Sequence, residues 1–75
     1  MILPTKHLRL DQSLLVAAAA VLVTLRSPLT VSATWERVRD SEAIATFDRF
    51  ALALDLLFAL GLVSLDSGRL RRAEP

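Results

Sequence analysis

The sequence predicts a mainly α-helical domain closed by a small β-hairpin, in the order of a winged helix-turn-helix. Three observations predict it. Two long apolar stretches, Leu14–Leu25 and Phe50–Leu65, are bounded by capping and breaking residues. A shorter amphipathic stretch carrying Val31, Trp35 and Val38 lies between them. After Gly61, "DSG" separates the alternating runs "LVSL" and "RLRR", and Asp and Gly between two such runs mark a hairpin turn. The competing reading of these signals is a three-helix bundle with a frayed tail.

Each element follows from local chemistry. "MILPTKH" opens the chain with apolar residues around a proline, and the ring keeps such a segment extended. Residues 1–10 therefore read as an extended arm, and 11–73 as the winged helix-turn-helix domain. The first helix starts at Asp11 or Ser13, whose side chains can accept from the orphan amides of a first turn, and stops before Pro28. Leu14, Ala18, Val21, Leu22 and Leu25 share its inner face, while Val16, Ala19, Ala20 and Val23 make the other face apolar as well. Thr30 caps the second helix, "DSEAIA" forms a turn, and Ser41 or Thr46 caps the third. That third helix runs from about Phe47 to Leu60, with Gly61 suited to the left-handed residue that ends many helices. Phe47, Phe50, Ala51, Leu54, Leu57, Phe58 and Gly61 are its expected core stripe.

Size and composition narrow the function. A chain of 75 residues makes one small domain, and such a domain buries only roughly 60% of its unfolded surface. Small domains gain stability from disulfides, a metal or a partner. There is no cysteine and a single histidine, His7, so disulfides and a His/Cys metal site are excluded. With 53% hydrophobic residues, the chain has more apolar surface than one small core hides, which favours association with another copy or with different subunits. The net charge of +1 supplies no global field for non-specific nucleic-acid binding.

Neither apolar stretch suits a membrane. The first has twelve residues, where a spanning helix needs about 20. The second carries Asp55 at its centre, which is costly in lipid. "VSA" at Val31–Ala33 resembles a signal-peptidase site, but Arg26 and Pro28 separate it from the apolar run, so export is disfavoured and a cytoplasmic location expected.

No catalytic, cofactor or metal site is expected. Nucleophilic catalysis needs a base beside the nucleophile and a group orienting it, yet His7 sits in the arm and no spacing links it to Ser and Asp. Asp48 and Asp55, seven residues apart on one side of the third helix, read as solvated or partner-facing acids rather than paired catalytic carboxylates.

A winged helix raises the question of DNA. Base readers place Arg, Lys, Asn or Gln toward the groove, and phosphates repel acids. The third helix instead carries Leu52, Leu56 and Leu60 at helical spacing, flanked by Asp48 and Asp55, with Arg49 as its one base. Asp48, Leu52, Asp55 and Leu56 are thus candidate partner-binding residues, although a leucine ridge can equally pack inside the monomer. Leu3, Pro4 and Lys6 in the arm are further candidates, lying along a partner or adding to a sheet edge. In the hairpin, Arg69, Arg71 and Arg72 are the candidate nucleic-acid contacts, to phosphates; ordinary solvated edge-strand charge is the blander alternative. The main alternative function is an autonomous DNA-binding regulator.

"ILPTKH" at Ile2–His7, "SLL" at Ser13–Leu15, "TVSATW" at Thr30–Trp35 and "FDRFALALDLLFALGLVSLDSGRLRR" from Phe47 to Arg72 resemble the small middle components of the ABC-three-component systems. "LPTKH" and "ALDLLFALGLV" are the most specific of these segments. The resemblance implies a non-catalytic winged helix-turn-helix adaptor, encoded beside an SMC-like ABC ATPase and an effector-bearing component. It further implies a role in bacterial defence against phage and plasmids, as in Lamassu-type systems. The first helix departs from that pattern, because "VAAAAVLVTL" has few polar residues, which raises the question of which partner covers it.

Overall fold

A computed structural model describes residues 12–73. The elements run α1 (Gln12–Thr24), β1 (Leu29–Thr30), α2 (Val31–Val38), α3 (Phe47–Ala59), β2 (Val63–Asp66) and β3 (Arg69–Arg72). Among the described residues the strands form one antiparallel sheet in the order β1-β3-β2. The result is mostly helical with a small sheet, a winged-helix-like arrangement in keeping with the fold class expected from the sequence.

Helix ends follow the capping residues. Thr30 caps α2, its hydroxyl accepting from Ala33 N at 3.0 Å, while its carbonyl accepts from the Thr34 hydroxyl at 2.8 Å. That second bond satisfies Thr34, the buried polar side chain of the core. Thr46 caps α3 by accepting from Arg49 N at 3.1 Å. Ser41 instead holds the preceding turn, its hydroxyl accepting from Ala43 N. At the far end of α3, Gly61 adopts φ +73°, Gly61 N donates to Phe58 O, and Leu62 N donates to Leu57 O. These bonds form the two-bond glycine stop that satisfies orphan carbonyls. The hairpin turn puts both Ser67 (φ 55°) and Gly68 (φ 79°) in the left-handed region, as the twist of a two-residue hairpin requires.

The sheet has one strand more than the sequence suggested. "SPL" reads as a loop before a helix, yet Leu29 and Thr30 pair with Leu70 and Arg69. A two-residue strand has no periodicity to detect. Thr30 serves both as strand and as cap.

The core joins α1 to α3 and is closed by α2 and the sheet. Leu14, Ala17, Ala18 and Val21 of α1 are buried, as are Phe50, Ala53, Leu54 and Leu57 of α3. Leu25, Val38, Ile44, Val63 and Leu70 complete it. The α1–α3 contact is the most extensive in the fold, and alanines at 17, 18 and 53 let two helices approach closely. On α3 the buried set repeats at i, i+3, i+4 and i+7 from Phe50. This corrects the expected core stripe, because Phe47 and Phe58 are exposed and the small Ala53 lies inside. Ser13 lies within α1 and accepts from the Arg49 guanidinium. Asp11, the other expected cap, lies outside the described residues.

Candidate partner-binding surface

With Phe50, Ala53, Leu54 and Leu57 turned inward, helical periodicity carries Asp48, Leu52, Asp55 and Ala59 to the opposite side of α3, and all four are exposed. Leu52 is 54% exposed between the two carboxylates. Leu56 sits at the border of this face, partly buried and packed against the core. The expected ridge of Leu52, Leu56 and Leu60 is therefore split: Leu52 and Leu60 face solvent, whereas Leu56 belongs partly to the interior.

Arg49 does not compensate for the acids. Its Nε donates to Ala43 O at 3.0 Å and its guanidinium also donates to the Ser13 hydroxyl. Both bonds draw it back toward α1 and the α2–α3 turn. The outward face of α3 thus combines two carboxylates with an exposed leucine and carries no cation. A groove-reading helix has the reverse character, since it must approach phosphates and present donors to base edges.

An aromatic cluster adjoins the start of this helix. Phe47 meets Trp35 edge-on, with ring centroids 5.3 Å apart and planes at 85°. Phe50 lies 5.4 Å from Trp35 and 5.6 Å from Phe47. The Arg39 guanidinium lies over the Trp35 ring, 5.7 Å from its centroid. Phe50 is buried, but Phe47 is 53% exposed, so the cluster has an anchored base and an open rim. Trp, Phe and Arg in such a setting are the residue types that dominate protein contacts. Side-chain bulk places Phe47 in the expected core, whereas the repeat from Phe50 through Ala53, Leu54 and Leu57 leaves it outside, at this rim.

A second apolar surface lies on α1. Leu15, Val16, Ala19 and Val23 are exposed on the side away from the buried Leu14, Ala17, Ala18 and Val21. Because α1 and α3 pack through their inner faces, these two outer faces point in opposite directions.

The hairpin arginines are all exposed, but two of them hold intramolecular positions. Arg71 pairs with Asp66 at 3.2 Å. Arg72 Nε donates at 3.0 Å to Leu22 O, a carbonyl in the last turn of α1, where positive charge is favoured. The arm residues Leu3, Pro4 and Lys6 lie outside the described residues. Among the described residues no three potential ligands converge on a metal site, and Asp48 and Asp55 both face solvent.

Residues 3–73 match the family described as ABC-three component (ABC-3C) system Middle Component 6. The chain belongs to this family. Comparison with curated proteins and with solved structures gives no match. For a Middle Component 6 chain, membership means one component of a multi-component system, and the match spans the arm candidates, α3 and the hairpin alike. No helix among the described residues is long and apolar enough to cross a membrane.

Proposed function

We propose that this Middle Component 6 chain is a non-catalytic adaptor that bridges an SMC-like ABC ATPase and an effector component in a bacterial defence complex. The observation that carries this reading is the outward face of α3. Where a DNA-reading winged helix needs cations, it presents Asp48, Leu52 and Asp55, and its arginine is turned inward. The exposed apolar face of α1 supplies a second contact pointing the other way, as a bridging subunit requires. Membership in a family of middle components supports the existence of such partners. The same α3 face weighs against an autonomous regulator, which would need to bring those carboxylates against phosphates.

The test is Leu52→Arg in the chain co-expressed with the ATPase and effector components encoded beside it. Arginine matches leucine in helix propensity. At position 52 it also falls between Asp48 at i−4 and Asp55 at i+3, pairs that each add about 0.2–0.5 kcal/mol to a helix. The domain therefore keeps its fold while the apolar contact is lost, and co-purification with at least one component is expected to fail. Wild-type recovery of both components by the variant would overturn the proposal, as would failure of the wild-type chain to bind either. Leu56 is unsuitable for this purpose because it packs against the core.

A further inference from the structure

The pairing of β1 with β3 has an effect on charge. Leu29↔Leu70 and Thr30↔Arg69 set the loop before β1 alongside the last strand. Arg26 and Ser27 thereby line one shallow depression with Arg71 and Arg72. A second depression runs on past Arg69. The two share Pro28 and Arg71, so they adjoin as one trough along the hairpin, from Arg72 toward the turn at Ser67. Four exposed arginines from two distant parts of the chain border it against a single carboxylate, Asp66, a local excess of three positive charges. Arg69 and Arg71 point to the same side of β3, about 6.6 Å apart by strand geometry. The bonds of Arg71 to Asp66 and of Arg72 to Leu22 O hold two of the guanidinium groups in place.

We infer that this trough binds the sugar-phosphate backbone of double-stranded DNA, without reading sequence and without inserting α3 into a groove. Arginine matches phosphate geometry and stays charged at all relevant pH. The trough also lacks what a protein contact would add. Its apolar members are Leu25, which is buried, and Pro28, a single exposed ring. Leu65, the exposed apolar residue of the hairpin, pairs with Leu70, stands on the side of the sheet away from Arg69 and Arg71, and lines neither depression. Without an apolar centre, a run of arginines fits a uniformly charged backbone better than a protein partner with an anchoring side chain. Asparagine, glutamine and lysine, which together with arginine read base edges, do not line it. This inference is independent of the adaptor reading: it is measured on the chain alone, whereas assembly is measured through Leu52.

The experiment is fluorescence anisotropy of the full chain with labelled 30-base-pair duplexes of two unrelated sequences, from 50 to 200 mM salt. Both duplexes are expected to bind equally. Three excess charges predict a slope of log K against log salt of about −2.7, at roughly 0.9 per phosphate neutralised. Arg26→Ala combined with Arg69→Ala removes two of the arginines and spares those hydrogen-bonded within the fold. That variant is expected to lower the slope by about two units and to weaken binding about tenfold or more at 50 mM salt. An unchanged slope in the variant, strong preference for one duplex, or no binding by the wild type at 50 mM salt would overturn the inference. So would loss of a partner component, without any change in DNA affinity, when the variant is co-expressed, because the trough would then be a protein contact.

Discussion

Ala45 holds φ +64°, in the left-handed region, at the last bend before α3. Its amide donates to Ser41 O at 2.9 Å, and the next residue, Thr46, must be extended (φ −129°) to cap α3. Ile44, fully buried, pins the turn from the other side. The backbone therefore has no freedom to relieve the alanine. For an L-residue this conformation costs roughly 1–2 kcal/mol. Ala45→Gly removes that cost but returns about 0.5–1 kcal/mol of chain entropy to the unfolded state. The methyl group is exposed, so no packing is lost. The net expectation is stabilisation of about 0.5–1 kcal/mol. For a domain of this size 1 kcal/mol corresponds to roughly 4–8 °C in Tm, so thermal unfolding followed by circular dichroism resolves the effect. A Tm at or below that of the wild type would refute the reasoning.

Two further substitutions probe what sets α3 and the sheet. Thr46→Ala removes the hydroxyl that accepts from Arg49 N and is expected to cost about 1 kcal/mol in urea unfolding, as N-cap losses do. Leu70→Ala empties the middle of the sheet, where a fully buried side chain faces both Leu29 and Leu65 across the strands. Its expected cost is about 2–5 kcal/mol, enough to leave a domain this small largely unfolded at 37 °C by circular dichroism.

The helices and hairpin were legible because each is marked by a residue with one strong local role. Thr30, Thr46, Gly61 and "DSG" act over three or four residues, and each sits in the structure where local chemistry places it. Strand β1 was not legible, since its two residues are defined by a partner some 40 positions away. The face of α3 was half legible. Its acids could be seen to lie on one side, but choosing the core by bulk took in Phe47 and Phe58 and passed over Ala53. The withdrawal of Arg49 depends on Ala43 and Ser13, and no spacing reveals it. Arg26 joins the hairpin arginines only through β1, so the trough, too, is a product of tertiary pairing.

The most direct test of the central claim, that α3 meets protein rather than DNA, is a photo-crosslinking residue at position 52. Leu52 is exposed, so the probe is accommodated without disturbing the core. With the chain co-expressed with the companion components of its system and supplied with duplex DNA, irradiation is expected to join position 52 to one of those components, as the proposed adaptor role requires. Crosslinking of position 52 to the duplex, with no protein adduct, would contradict the account.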